Sequence, residues 1–583
     1  MSTSRRSAAA PRLLRAVGWL LVSALLTCNA FAQLTLTGLD DAQRANVLAY
    51  LDLDEEPCTA PQWRIEQRYQ AARDDVASAL AALGFYAVDV RGVLEFADDC
   101  WRAQLVVDVG EPTRIRTLDV VVEGDAANDV AFAQAIVQSQ LRIGEPLNHG
   151  AYENLKRRWS DLELERGYAE SELVANRIDV YPEELAADIV LHLNSGPRYT
   201  FGEVELTQDV LSDRLIRAFL PFQSGDPYDN RLLTDLFVAL TGSAYFATID
   251  IRPLQGDSEL KQIPISIGLT PAAARSITYG VGYSTDTGPR FRIGRNNRRR
   301  NELGHQFGVN AQLSTVISEV TATYRFPFGD PRTEWISFDA GAQREVTESA
   351  ESESLQFSAR RVVETPRRWT RTQMLSLLVE DYEVADQVDR SRLLMPEMNW
   401  SRIRADSNIR PRQGNKLDLQ VRAAGDALGS DTTLLQVLAE GKWIWSLGND
   451  ARLLVRGQIG TTWESDFDKL PASVRFFAGG DSSVRGYKFE ELGPVDAQGK
   501  VIGGPSLITA SVEYEQPLRD RWSLAFFIDS GNAFEGSDFN ARTGVGIGGR
   551  WQSPLGPIRI DLAHPLRDET NNLRLHISLG PDL

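Results

Sequence analysis

In the run Arg475-Phe-Phe-Ala-Gly-Gly-Asp-Ser-Ser-Val-Arg-Gly-Tyr487, a second arginine, Arg485, stands at the tip of a loop-like stretch rich in glycine and serine. Two carboxylates follow in strand-like contexts, Glu513 within Ala510-Ser-Val-Glu-Tyr-Glu515 and Asp529 within Phe527-Ile-Asp-Ser-Gly531. A guanidinium and two carboxylates so placed offer charge pairing rather than bond chemistry: the arginine would tether its loop to the wall formed by the strands. Alternation supports that reading. Ser523, Ala525, Phe527 and Asp529 share one strand face, suited to a wet interior, while Leu524, Phe526 and Ile528 share the other, suited to lipid. Gly486 would give the tip backbone freedom, and Tyr487 and Phe489 would pack it against the inner wall. The alternative is an arginine left in solvent, whose pairing contributes under about 1 kcal/mol.

Other suggestive groups do not assemble into a reaction centre. Gly544-Val-Gly-Ile-Gly-Gly549 looks like a dinucleotide fingerprint but lies inside a strand pattern, where glycine serves bending or close approach. His149, His192, His305, His564 and His576 have no metal-ligand spacing. No nucleophile elbow, catalytic acid pair or phosphate loop is present, so the expectation is a protein that is not an enzyme and has no cofactor and no metal. Arg295-Asn-Asn-Arg-Arg-Arg300 reads as a solvated or headgroup-facing loop between two strands.

The elements that must position these residues begin after a leader. Arg5, Arg6, Arg12 and Arg15 form a basic region, Ala16 to Leu26 an apolar one, and Ala30-Phe31-Ala32 a cleavage site, so residues 1–32 are expected to be removed between Ala32 and Gln33. An uncleaved anchor would need an apolar run nearer 20 residues. A lipoprotein reading of Cys28 meets Thr27, where a smaller residue is wanted. Export leaves Cys58 and Cys100, expected to form a disulfide in an oxidising compartment rather than two free thiols. The leader carries four of the 62 basic residues and none of the 80 acidic ones, leaving 58 against 80 and a formal charge of −22. That excess disfavours nucleic acid, which needs a basic footprint. No later segment approaches the apolar length of a membrane helix, but barrel strands, apolar at alternate positions, span without that signal.

Residues 33–275 repeat with a period near 80. Each unit has a helical stretch ending in a small residue and an aromatic: Leu83-Gly84-Phe85-Tyr86, Arg166-Gly167-Tyr168 and, with Ala for Gly, Ser243-Ala244-Tyr245-Phe246. Each closes on an alternating strand, Gln104 to Val109, Asp188 to Leu193 and Ile263 to Gly268, giving the order β-α-α-β-β three times. Gly144-Glu145-Pro146 and Gly225-Asp226-Pro227 are expected to close one helix and cap the next. From Ser276 the texture turns to alternation. Sixteen strand-length segments fill 308 residues, from Ser276–Tyr283 to Leu573–Leu579, about 19 residues per strand and connection. Near the end, Arg559, Asp561, Arg574, His576 and Ser578 would face the lumen between lipid-facing aliphatics. The arginine loop falls between strands 11 and 12, in the longest connection, Glu464 to Ser506. Glu513 then lies on strand 12 and Asp529 on strand 13. A generic α+β array and a soluble β-sandwich are the bland alternatives.

The tip Val484-Arg485-Gly486-Tyr487 resembles the sixth-loop motif of the POTRA–barrel superfamily of outer-membrane assembly factors. With the leader, three POTRA-like units, the cysteine pair in the first and sixteen strands, the chain is similar to the TamA family of translocation and assembly module subunits. Gly280-Val-Gly-Tyr-Ser-Thr-Asp-Thr-Gly-Pro289 and the ending Leu579-Gly-Pro-Asp-Leu583 add to the likeness. The ending departs from the usual terminal Phe, which suits a last strand loosely paired with the first. The resemblance implies α+β tandem POTRA domains at 33–112, 113–198 and 199–275, then an all-β transmembrane barrel of 16 antiparallel strands at 276–583. It implies a place in the cell outer membrane with the POTRA domains in the periplasm, and ATP-independent insertion of outer-membrane proteins, autotransporters among them, by templating at a barrel seam. The implied partners are a TamB-like inner-membrane-anchored periplasmic protein, client outer-membrane proteins and outer-membrane lipid. A two-partner-secretion-type transporter or a passive outer-membrane pore would use the same architecture.

Overall fold

The structure, a computed structural model, describes residues 33–97, 100–407, 410–519, 521–553, 556–566 and 572–579. The leader, Ala32 included, lies outside the described residues, and Gln33 opens the first strand. The first repeat comprises β1 (Gln33–Thr37), α1 (Asp41–Tyr50), α2 (Gln62–Ala81), β2 (Asp89–Phe96) and β3 (Trp101–Asp108). The second comprises β4 (Arg114–Glu123), α3 (Val130–Gln138), α4 (His149–Arg166), β5 (Glu172–Tyr181) and β6 (Ala186–Asn194), and the third β7 (Thr200–Thr207), α5 (Asp213–Ala218), α6 (Asn230–Ser243), β8 (Phe246–Pro253) and β9 (Gln262–Pro271). In every repeat the last strand in sequence is the middle strand of a three-stranded sheet.

The pattern of apolar residues explains why. Trp101, Ala103, Leu105 and Val107 alternate on β3, as Ala187, Ile189, Leu191 and Leu193 do on β6 and Ile263, Ile265, Ile267 and Leu269 on β9, and all are buried. Helices supply the facing stripe: Tyr152, Leu155, Trp159 and Leu162 on α4 recur at intervals of three and four and bury against β6. Cys58, before α2, is disulfide-bonded to Cys100 at the start of β3, a closure of 42 residues. Such a closure contributes about 4 kcal/mol in the chain-entropy model.

The Gly-acid-Pro segments are not helix caps. Asn148 caps α4, its side chain accepting from the Ala151 N–H at 3.0 Å, ten residues after α3 ends. Pro146 instead bridges Arg114 at the edge of β4, with Gly144 N–H donating to Ile115 O at 2.8 Å, and Pro227 bridges Thr200 on β7 in the same way. The positive φ of Gly144 (+87°) and Gly225 (+93°) turns the chain onto that edge, and proline, lacking an N–H, suits an edge position.

The second architectural part is one 16-stranded antiparallel sheet running in order from β10 (Arg275–Ser284) to β25 (Arg574–Leu579) and nearly closed into a barrel. Alternation defines its faces. On β22 (Trp522–Phe534), Ser523, Ala525, Phe527 and Asp529 are buried, while Phe526 and Ile528 are exposed on the outer wall. Among the described residues no helix is long and apolar enough to cross a membrane.

Candidate functional site

β20 (Arg452–Glu464) and β21 (Ser506–Arg519) are the eleventh and twelfth barrel strands, and the chain between them folds against the inner wall. Bridges between Phe476 and Gly504 and between Ala478 and Leu492 draw its two limbs together. Val484 and Tyr487, flanking the tip, are buried in an apolar cluster with Phe476, Leu492 and Ala533. Phe489 lies outside that cluster, lining a cavity of about 670 Å³ beside Tyr487.

Arg485 is 4% exposed. Its Nε donates to Asp529 Oδ2 at 2.6 Å and its Nη2 to Asp529 Oδ1 at 2.9 Å, a two-pronged pair that its own backbone N–H reinforces at 3.1 Å. Nη1 donates to Glu513 Oε2 at 2.7 Å and to Asp561 Oδ2 at 3.0 Å. The guanidinium carbon lies 3.4 Å from the Phe527 ring centroid, so the flat face stacks while the edge binds acids. A second guanidinium shares those acids: Arg550 on β23 (Arg542–Ser553) donates to Glu513 Oε1 at 2.6 Å and to Asp561 Oδ1. Arg456 on β20 holds the carbonyls of Asp481 and Ser483 at 3.1 and 3.0 Å and approaches Asp529 at 3.4 Å, and Arg452 pairs with Glu515. Four guanidiniums thus meet four carboxylates. Burial of so many charges is tolerable because none is left unbalanced.

Glycine makes the fit possible. A Cβ at Gly544 on β23 would stand 1.9 Å from the Arg485 carbonyl oxygen, and one at Gly548 would stand 1.7 Å from Asp561 Oδ1. Gly486 itself adopts φ +102°. The stripe that imitates a nucleotide fingerprint is therefore the bare wall on which the loop tip rests.

The same loop reaches both ends of the sheet. Asp481 accepts from Ser284 Oγ at 2.8 Å and Thr285 Oγ1 at 2.9 Å in the first hairpin, and from His576 Nδ1 on β25 at 2.6 Å. His576 Nε2 accepts the Gly486 N–H at 2.9 Å, which fixes the proton on Nδ1. Thr285 N–H donates to Ile577 O at 3.1 Å across the gap. Asp286 accepts the Asp481 N–H at 2.7 Å; burial and the Asp481 carboxylate push its carboxyl up to about 7. Ligand-type atoms of Asp286, Asp481 and His576 lie within 4.8 Å of one another. Both ring nitrogens of His576 are already committed, so the group acts as a hydrogen-bonded clasp rather than a cation cage.

Three residues singled out by sequence, Arg485, Glu513 and Asp529, thus stand together. Five others carry no such assignment from sequence: Arg452, Arg456, Glu515, Arg550 and Asp561. Asp561 had a lumen phase but no assigned partner, and Arg550 had no assignment, although it follows Gly544, Gly546 and Gly548 at the same alternation. The phase was a usable signal; the height along the barrel was not.

A family model described as the Omp85 superfamily domain matches residues 287–582, and one described as POTRA domain, TamA domain 1, matches residues 33–109. The outer membrane protein assembly factor BamA of Nitratidesulfovibrio vulgaris is 24% identical over 451 residues, 72% of this chain and 56% of that protein. BamA of Neisseria meningitidis serogroup B is 22% identical over 553 residues, 83% of this chain and 69% of that protein. The chain therefore spans little more than half the length of the first of these relatives. The crystal structure of BamA from Haemophilus ducreyi lacking POTRA domains 1–3 superposes with a TM-score of 0.65 at 16% identity, covering 80% of this chain and 99% of that one. That likeness is one of fold.

Proposed function

We propose, from the premise that this chain belongs to the Omp85 superfamily, that it is an outer-membrane protein assembly factor admitting client strands at the seam between β10 and β25. The barrel lies in the outer membrane and the POTRA units in the periplasm. One observation carries the proposal: the 16-strand sheet begins at β10 and ends at β25, and these two strands face each other through a few loop-mediated hydrogen bonds. An unpaired strand edge in a membrane wall offers N–H and C=O groups that an incoming strand can satisfy, and such templating needs no nucleotide. Within the superfamily we assign the chain to the TamA branch, supported by its TamA-type first POTRA unit, three repeats and the cysteine pair. The corresponding partner is a TamB-like inner-membrane-anchored periplasmic protein, with autotransporters among the clients.

The test is a lock. Tyr283→Cys and Leu579→Cys lie two residues along the antiparallel register from Thr285 and Ile577. Oxidised cells carrying both are expected to lose client assembly and to recover it on reduction. Full assembly with the cross-link formed would leave a transporter or passive pore as the better reading.

A further inference from the structure

We propose that the periplasmic end of the barrel's seventh and eighth strands is a binding site for the phosphates of anionic phospholipids in the inner leaflet of the outer membrane. The proposal rests on the membrane placement and not on the assembly mechanism. β10 starts from the periplasmic side, and strand direction alternates. The start of β16 (Thr370–Val384) and the end of β17 (Gln387–Ala405) therefore lie at the periplasmic edge, next to the turn that follows β15 (Ala350–Glu364).

Phase gives the facing. On β16, Leu375 is 49% exposed while Ser376 is buried, so Arg371 shares the outer face with Leu375. Arg371 pairs in register with Trp400, and Arg402 and Arg404 continue that outward phase on β17. Arg367 and Arg368 occupy the adjoining turn, and the Arg402 guanidinium lies 4.9 Å over the Trp369 ring. Five arginines and two tryptophans thus share one outer patch at the level where tryptophan belts mark the headgroup region.

These arginines differ from their neighbours. Arg360, Arg361 and Arg412 are paired with Asp339, Glu334 and Asp450, whereas no ion pair joins any of the five to a carboxylate among the described residues. The two acids at these strand ends are Glu364 and Asp406, and the Asp406 carboxylate is occupied by the backbone N–H groups of Arg412 and Gln413. Nε of Arg371 and Nε of Arg402 are buried without a hydrogen-bond partner. A buried donor next to hydrocarbon calls for an acceptor, and a guanidinium fork matches phosphate oxygens in both charge and shape. The opposite ends of the same strands set Asp381, Glu383, Asp386 and Asp389 against Arg390 and Arg392, with Arg390 paired to Asp381, so acids outnumber bases there and the unpaired basic excess lies at the periplasmic end.

Full-length protein, released from bilayers of phosphatidylethanolamine and phosphatidylglycerol, would be weighed by native mass spectrometry to count retained phosphatidylglycerol. The wild type is expected to enrich it over phosphatidylethanolamine. Substituting Arg371→Gln, Arg402→Gln and Arg404→Gln together should reduce that enrichment by about fivefold per arginine, while the matching Arg→Lys set keeps part of it. Heat-modifiable migration checks that each barrel is folded, and the single Arg404→Gln variant supplies the reading if the triple one is not. Equal retention by folded Gln variants overturns the proposal. So does displacement of phosphatidylglycerol by inorganic phosphate, which would mark a free-anion site, or by an acidic peptide, which would mark a protein-binding surface.

Discussion

Truncating Arg485 leaves three lumen carboxylates, Glu513, Asp529 and Asp561, with Arg550 and Arg456 as their remaining near cations. Stranding a buried charge costs roughly 3–5 kcal/mol, so Arg485→Ala and Asp529→Ala should each destabilise the seated loop by that order. Because the two share one pair of hydrogen bonds, the double variant should be no worse than either single one. Urea unfolding of the reconstituted barrel, read with protease nicking after Lys488, measures both effects. Strictly additive losses would show that the pair does not act as a unit. At this scale the sequence disclosed the arginine through its loop-tip motif, Glu513 through its strand-like context and Asp529 through strand phase. It did not disclose Arg550 as a partner, because alternation puts that side chain on the lumen face but says nothing of its height relative to the loop tip.

Among the elements, the join between the first and second repeats is expected to weaken in acid. Tyr86, from the small-aromatic motif that ends the first helical stretch, has its hydroxyl 2.7 Å from His149 Nε2 in the first turn of α4. Burial holds His149 below the ordinary histidine range, partly offset by Glu153. The unfolded chain therefore takes up the proton first as pH falls. The contribution of this contact is fully present above about 6.5 and is lost as pH drops through the depressed value. Hydrogen exchange at the start of α4 should quicken over that window, and His149→Gln should flatten the response. An unchanged profile in the variant would assign the sensitivity elsewhere. The repeats themselves were legible because periods of 2 and 3.6 need no tertiary knowledge. The Gly-acid-Pro segments were not, since edge pairing with β4 and β7 depends on where the sheet lies. Ala244, the departure from glycine in the third repeat, takes φ +60° where Gly84 and Gly167 take +91° and +79°.

For the molecule as a whole, Asp481 is the residue that ties the inserted loop to both sides of the seam. Asp481→Asn removes the charge that Ser284, Thr285 and His576 share. Charge-assisted hydrogen bonds contribute about 1.5–3 kcal/mol, so exchange of β25 amides should rise by at least about tenfold while the β21–β22 pairing stays protected. A β25 exchange rate equal to that of the wild type would show that the clasp does not hold the seam.

Periodicity in the sequence determined the three α+β repeats, the sixteen strands, the lumen face of each strand and the place of the long loop, because each is a property of neighbouring residues. Tertiary structure alone decided which lumen charges meet. Arg485 and Asp561 are 76 residues apart, and alternation states which face each occupies but not its height on the wall. Height follows from strand register and barrel stagger, which accumulate over many pairings. The clasp at Asp481 has the same origin: its partners lie 195 or more residues before it in the first hairpin and 95 after it in the last strand, and closure of the barrel is what brings them to one carboxylate.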